Sequence, residues 1–128
     1  MKKLLALEEL AQFGLALYGI SLLPIQVNYF LLVAAFFIPD LFAAGYLINK
    51  SIGAVMYNFS HHKLVAIAMI VAGLLLLKEF WILAGLLFYA HSAFDRILGY
   101  GLKYSDSFQH THLGYIGKEK FKALPNAS

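Results

Sequence analysis

Residues His91–Gly117 read HSAFDRILGYGLKYSDSFQHTHLGYIG and run from an apolar segment into a polar loop. This stretch holds three of the five histidines, two aspartates and the only arginine of the 128-residue chain. The rest of the sequence is strongly apolar. Such a concentration of imidazole, carboxylate and guanidinium groups therefore predicts a polar site at one end of a helical bundle.

The composition predicts a membrane protein. Hydrophobic residues make up 61% of the sequence, charged residues make up 13%, and the mean hydropathy is +0.71. A soluble domain carries about 25% charged residues to keep its surface wetted, whereas a bilayer accepts apolar surface. The absence of cysteine excludes disulfides, thiolate metal sites and cysteine nucleophiles. The net charge of +3 is spread over termini and loops, so we expect no nucleic-acid partner.

The apolar residues fall into four segments, each long enough to cross a hydrocarbon core of about 30 Å as a helix. We predict an all-α fold, a four-transmembrane-helix bundle forming a single integral membrane domain over residues 1–128. The predicted helices cover residues 4–23, 27–48, 52–77 and 80–98, followed by a polar loop at 99–117 and a basic tail at 118–128. Two glutamates interrupt the first segment and no clean cleavage site follows it, which favours a retained helix over a removed signal peptide.

The positions of the basic residues predict the orientation. With the amino terminus inside and four crossings, Lys78 falls outside and nine basic residues fall inside. The inner set is Lys2, Lys3, Lys50, Lys63, Arg96, Lys103, Lys118, Lys120 and Lys122. Lysine and arginine concentrate on cytoplasmic loops. We therefore predict a multi-pass protein of the bacterial cell (inner) membrane with both termini in the cytoplasm.

This orientation brings the histidines and the two aspartates of the predicted helices to one depth near the inner face. Asp40 follows Pro39 late in the second helix, and proline usually kinks a helix. His61 and His62 begin the inner end of the third helix, and His110 and His112 lie in the inner loop. Because the outer halves of the helices are nearly devoid of polar side chains, we expect the polar residues to share a pocket.

The residue types in this pocket suit a divalent metal, since imidazole and carboxylate together bind zinc, manganese or iron. His91 and Asp95 lie four residues apart and so present a nitrogen and an oxygen on one helix face. The predicted metal ligands are Asp40, His61, His91, Asp95 and His112. Secondary candidates are Tyr57, Asn58, His62 and His110.

A metal site open to cytoplasmic water could activate that water for hydrolysis. Arg96 could hold an anionic substrate, because a guanidinium matches the geometry of phosphate. Asp95 and Arg96 are therefore the candidate catalytic residues. The resulting hypothesis is a metal-dependent hydrolase that acts on a lipid or phosphate-containing substrate at the inner leaflet.

Other interpretations use the same residues. His91 and Asp95 could simply hydrogen-bond between helices, and Asp95 could form a structural ion pair with Arg96. Intramembrane Asp and His also serve proton relays, so a non-enzymatic proton-coupled transporter, channel or complex subunit is the alternative, and a homo-oligomer would suit it. A haem or di-iron redox protein ranks lower, because di-iron sites usually contain more carboxylates.

Four strings of the sequence, taken together, are similar to a known family. They are Pro39-Asp40 with Gly45-Tyr46, IGAVMYN with His61, HSAFDRILGYGLKY, and FQHTHLGYIG. The strings resemble an uncharacterised family of small bacterial integral membrane proteins, domain of unknown function 4260. The resemblance implies a membrane location but no particular activity. It favours as site residues Asp40, Tyr57, Asn58, His61, His91, Asp95, Arg96 and His112, and it lowers the rank of His62 and His110.

Overall fold

A computed structural model describes residues 1–117, and the predicted basic tail at 118–128 lies outside them. The described residues form five α-helices, one 3-10 helix and a two-stranded antiparallel hairpin. The elements are α1 Lys2–Ser21, α2 Tyr29–Phe36, the 3-10 helix Ile38–Leu47, α3 Lys50–His61, α4 Lys63–Leu76, α5 Glu79–Ile97, β1 His110–Thr111 and β2 Gly114–Tyr115. This mostly helical architecture confirms the helical part of the predicted fold class.

Two helical stretches, Lys2–Ser21 and Tyr29–Leu47, are long and apolar enough to cross a membrane. α3 and α4 meet the same requirement only as a pair, and the pair is bent by 47°. Residues 1–117 thus contain two candidate spans, or three if the bent pair is one span, which is consistent with a membrane protein. The fourth crossing, through α5, stays a prediction.

The predicted second helix is not one continuous α-helix. α2 ends at Phe36, and the chain continues to Leu47 as a 3-10 helix that has Pro39 in its first turn. Proline cannot donate the backbone hydrogen bond of an α-helix, and its ring opposes the preceding turn. The 3-10 helix packs against α3 so closely that a Cβ on Gly45 would lie 3.1 Å from the Cα of Gly53.

The predicted third helix also divides, at His62. This residue has extended backbone angles, and its Nδ1 accepts a hydrogen bond from the Leu64 N–H at the start of α4. A side chain that caps a helix start satisfies one of the otherwise unpaired N–H groups there. The break makes His61 the last residue of α3, so its ring lies at the junction of the two helices.

α5 is the centre of the bundle, because both α1 and α4 pack along it. Its Ala90, His91, Ser92 and Ala93 are almost fully buried. A Cβ on Gly85 would lie 2.7 Å from the carbonyl oxygen of Ala66, so the backbones of α4 and α5 are in close contact. The face of α5 that carries His91 and Asp95 is therefore fixed relative to its neighbours.

Candidate metal centre

Four of the predicted ligands meet between the 3-10 helix, α3 and α5. Asp40, His61, His91 and Asp95 each contribute one ligand atom, and these atoms lie within 4.8 Å of one another. We call these residues the tetrad. The Nε2 atoms of His61 and His91 lie 3.3 and 3.1 Å from Oδ1 of Asp40. The same two nitrogens lie 3.4 and 3.7 Å from Oδ2 of Asp95.

The tetrad is enclosed on one side and open on the other. The side chains of His61 and His91 are 4% and 1% exposed, whereas that of Asp40 is 49% exposed. The difference follows from position, since Asp40 lies on the 3-10 helix at the edge of the bundle and His91 lies on the central helix. The open side of the tetrad is therefore the side of Asp40.

The neighbours of His61 determine which of its nitrogens can bind a cation. Its Nδ1 lies 2.9 Å from the carbonyl oxygen of Tyr57 and 2.8 Å from Oγ of Ser60. A carbonyl oxygen can only accept, so the hydrogen bond to Tyr57 places the proton on Nδ1. Nε2 then presents a lone pair to two carboxylate oxygens. This arrangement is unfavourable unless a cation or a second proton lies between them.

His91 has a different environment. Its ring packs against Phe36 and Phe37, with centroids 5.0 and 6.1 Å away. Its Nδ1 is buried and has no hydrogen-bond partner within the described residues. Metal-binding histidines usually donate their second ring N–H to an acceptor, so His91 departs from that pattern whereas His61 follows it.

Tyr57, a secondary candidate, supports two members of the tetrad. Its hydroxyl donates a hydrogen bond of 3.1 Å to Oδ2 of Asp95. Its ring stacks on that of His61, with centroids 3.8 Å apart and planes 11° apart. The tyrosine thus fixes the orientation of both side chains, and it lies beside the predicted ligands.

Arg96 lines a small cavity next to the tetrad. Its Nη2 donates to the carbonyl oxygen of His61 over 3.5 Å, and it forms no ion pair with Asp95 within the described chain. The cavity wall consists of Tyr57, His61, Ser92, Asp95, Arg96, Tyr100, Gly101 and Leu102. The guanidinium therefore lies beside Asp95, in a crevice that is too narrow for a water molecule as it stands.

His112, predicted as a ligand, does not join the tetrad in the described structure. Its Nδ1 accepts a hydrogen bond of 2.8 Å from the Leu102 N–H, and its backbone N–H donates to the Leu102 carbonyl. Partial burial and the positive charge of Arg96 lower the pKa of His112, which favours the neutral ring. The residue pairs two parts of the loop instead of holding a cation.

His62 and His110 also lie outside the tetrad. His62 is exposed and caps α4. His110 lies between the rings of Tyr104 and Tyr115 and donates from Nδ1 to Asp106 over 2.8 Å. This hydrogen bond lowers the pKa of the Asp106 carboxyl. Both histidines have local structural partners.

Two residues of the site were missed by sequence reasoning. Ser60 is 1% exposed and connects His61 to the carbonyl oxygen of Pro39, 3.0 Å from its Oγ. Lys103 is 5% exposed, although its place in the sequence indicated only membrane orientation. Asn58, a secondary candidate, binds both backbone groups of Lys103. No sequence pattern distinguishes this lysine from those that remain in solvent.

Comparison with known proteins bears on the family alone. A family model described as a domain of unknown function (DUF4260) matches residues 2–116, a range that contains the whole tetrad. No curated protein and no solved structure matches the chain significantly. Because the family model covers far more than half of the sequence, the chain belongs to the DUF4260 family.

Proposed function

We propose that this protein is an integral membrane enzyme, a metal-dependent hydrolase whose divalent ion binds the tetrad. The observation that carries the proposal is the meeting of two imidazole nitrogens and two carboxylate oxygens, supplied by three separate helices, within 4.8 Å. Zinc, manganese and iron each accept such a mixed set of ligands.

Electrostatics supports a divalent cation at this point. The carboxylates of Asp40 and Asp95 both approach Nε2 of His61, at 3.3 and 3.4 Å. Two carboxylates and a nitrogen lone pair at these distances repel one another, and a charge of +2 removes the repulsion. The buried rings of His61 and His91 would supply the neutral ligands.

The proposed reaction is hydrolysis of an ester. The tetrad would hold the ion, and the ion would supply a water that is nucleophilic at neutral pH. The water oxygen forms a bond to the phosphorus or carbonyl carbon, and the ester bond to the leaving oxygen breaks. Asp95 would accept the proton from the water through its second carboxylate oxygen and return it to the leaving oxygen. Arg96, which lines the adjacent cavity, would contact the anionic part of the substrate.

An apolar groove beside the tetrad supports a lipid substrate. The groove has a volume of about 250 Å³ and lies between α1, α2 and α5. Its wall consists of Phe13, Leu17, Ile20, Leu32, Val33, Phe36, Phe37 and Leu87. Phe36 and Phe37 also contact the ring of His91, so one acyl chain in the groove would bring its head group close to the metal.

The proposed location is the bacterial inner membrane, with both termini and the tetrad on the cytoplasmic side. The distribution of basic residues supports this orientation, with nine inside and one outside for four crossings. A fluorescent reporter fused after the carboxyl terminus should fold and emit in the cytoplasm. A periplasmic phosphatase fused there should be inactive, and the reverse pattern would refute the orientation.

Metal analysis tests the core of the proposal. The full chain, purified in detergent without chelator, should contain about one divalent ion per chain by elemental mass spectrometry. His91→Ala and Asp95→Ala should lose that ion, because each removes one of four ligands. His62→Ala and His110→Ala should retain it and serve as matched controls. A wild-type protein without stoichiometric metal would refute the site.

Hydrolysis is tested separately from metal binding. Arg96→Met should keep the ion but lower the rate of hydrolysis of a short-chain phosphatidic acid by about 100-fold, as for loss of one positioned charge at a transition state. Equal rates of hydrolysis for Arg96→Met and the wild type would show that Arg96 has no role in the reaction. If the metal-loaded wild type hydrolyses neither carboxylic nor phosphate esters, the hydrolase hypothesis is refuted.

A proton relay is the second candidate, and one observation favours it. Tyr57, Asp95, the two histidines and Asp40 form a continuous series of contacts between 3.1 and 3.7 Å. Linked tyrosine, carboxylate and imidazole groups can pass a proton. Proton flux into proteoliposomes that is abolished by Asp95→Asn in metal-free protein would favour transport over hydrolysis.

The geometry of the two histidines does not favour a haem site. The rings of His61 and His91 lie 5.0 Å apart at an angle of 70°, and both approach the same carboxylates.

A further inference from the structure

Lys103 is a buried lysine whose ammonium is attracted by the carboxylates of Asp95 and Asp40. The residue is 5% exposed. Its ammonium lies 4.0 Å from the ring centroid of Phe108 and 4.8 Å from that of Tyr57. Within residues 1–117, no carboxylate forms an ion pair with this ammonium, and Asp95 and Asp40 act on it through space. The two rings offer no hydrogen-bond acceptor, so the three N–H donors of the ammonium can serve an anion that reaches this side chain.

The fold holds Lys103 at this place. The side-chain amide of Asn58 donates to the Lys103 carbonyl over 2.7 Å and accepts from the Lys103 N–H over 2.6 Å. A β-bridge also pairs Lys103 with Thr111, which is 2% exposed. Two independent contacts thus hold the backbone of Lys103, one from α3 and one from β1. This arrangement is typical of a side chain that is positioned for binding.

A second unused donor lies on the other side of Phe108. The hydroxyl of Tyr46 is buried and has no hydrogen-bond partner within the described residues. The ring of Tyr46 lies 5.2 Å from that of Phe108, and the ring of Tyr57 lies 6.2 Å from it. The Tyr57 hydroxyl bonds to Asp95, so the Tyr57 ring connects the ammonium of Lys103 to the tetrad.

The charges indicate what these donors would bind. A divalent ion and the carboxylates of Asp40 and Asp95 sum to zero. Arg96 and Lys103 then leave the site with a charge of about +2. A phosphate monoester is a dianion at neutral pH, and its oxygens accept several hydrogen bonds at once. A neutral ester would leave this positive charge without a counter-charge.

We propose that Lys103, together with the Tyr46 hydroxyl, binds the phosphate dianion of a phosphomonoester substrate whose ester bond is hydrolysed at the tetrad. This assignment rests on the proposed function and makes it more specific. Arg96 approaches the same group from the cavity beside Asp95. The three donors would also hold the charge that develops on the phosphoryl oxygens during the reaction.

Phosphate binding to the full chain, with its metal content measured on the same sample, tests this assignment. In detergent, isothermal titration with inorganic phosphate should give a dissociation constant that rises about 10- to 100-fold in Lys103→Met, as expected for loss of a hydrogen bond to a charged group. Lys103→Arg should recover most of the affinity. Tyr46→Phe should weaken binding about 2- to 10-fold, and Lys50→Met, at an exposed lysine, should leave it unchanged.

The outcomes separate this inference from the proposed function. If metal-loaded Lys103→Met and Tyr46→Phe both bind phosphate as the wild type does, the assignment is wrong and the metal site stands. If wild-type protein holds no metal, the proposed function fails at an earlier step. Should Lys103→Met fail to fold, Lys103→Gln and Tyr46→Phe decide the question by the same comparison with the wild type. Dioctanoyl phosphatidic acid that binds at least 10-fold more tightly than glycerol 3-phosphate identifies a lipid source, and equal affinities identify a soluble one.

Discussion

His61 receives its chemical role from the residues that surround it. The Tyr57 carbonyl at 2.9 Å places a proton on Nδ1 and leaves Nε2 free for a cation. Ser60 joins that arrangement, since its Oγ lies 2.8 Å from Nδ1 and 3.0 Å from the carbonyl oxygen of Pro39, the residue before Asp40. One buried hydroxyl therefore connects two of the four proposed ligands.

Ser60→Ala should weaken metal binding without removing a ligand. Loss of a hydrogen bond that orients a ligating histidine typically costs about 10- to 100-fold in metal affinity. Competition with a chromophoric chelator measures this change in purified protein. Ser51→Ala, at an exposed position, is the matched control. If Ser60→Ala and Ser51→Ala retain the metal equally well, Ser60 has no part in orienting the site.

The pKa of Asp106 should lie below its ordinary value of 3.8, because His110 donates a hydrogen bond to the ionised carboxylate. A lowered pKa in the folded state means that this group contributes stability above pH 3.8, and that the contribution is lost as the pH falls through the folded value. Carbon NMR of labelled aspartate measures the titration. In His110→Ala the value should rise toward 3.8, and an unchanged low value in that variant would contradict the assigned cause.

The helices owe their arrangement to a few close backbone contacts. α4 and α5 approach each other at Gly85, where a Cβ would lie 2.7 Å from the carbonyl oxygen of Ala66 and 2.8 Å from the backbone N of Ile70. Small residues are typical of helix interfaces in membranes, because packing is the main attraction that lipid leaves available. The position of α5, which carries His91 and Asp95, depends on this contact.

Gly85→Ala should destabilise the protein, because neither neighbouring backbone atom can move aside at low cost. Overpacking of this kind costs about 1–3 kcal/mol. Gly14→Ala on α1 is a suitable control, since no heavy atom lies within 4 Å of the added methyl. Thermal unfolding in detergent should show a lower midpoint for Gly85→Ala alone. Equal midpoints for the two variants would show that α4 and α5 are not packed as described.

The tetrad joins three helical elements, because the 3-10 helix, α3 and α5 each contribute residues to it. An ion bound there links Asp40 to His91, which lies 51 residues further along the chain. Such a link exists in the folded state only. Binding that is restricted to the folded state stabilises it by mass action.

Metal should therefore raise the thermal stability of the whole protein. At a free ion concentration 100-fold above the dissociation constant, the gain is about 2.7 kcal/mol. Scanning calorimetry or scanning fluorimetry with and without chelator measures the shift in Tm. Asp40→Asn should reduce the shift, and His110→Ala should leave it in place. A wild-type Tm that does not respond to zinc, manganese or iron would exclude an ion at the tetrad.

Much of the molecule follows from local features of the sequence. The apolar composition predicts helices in a membrane, and the spacing of His91 and Asp95 predicts that they share one helix face. Pro39 marks a place where an α-helix is interrupted. Each of these inferences depends on residues that are close in the chain, where backbone geometry alone sets their relation. The resemblance to the DUF4260 family, now confirmed, also rests on short strings of sequence.

The composition of the site depends on how the helices cross. Asp40 joins the tetrad because the 3-10 helix packs on α3, whereas His112, which was also predicted as a ligand, bonds to Leu102 within its loop. Lys103 is buried because Asn58, 45 residues earlier, holds its backbone. Contacts between distant segments arise from packing and desolvation in three dimensions. Residue spacing therefore indicates which side chains are available, and the crossing of the helices selects those that meet.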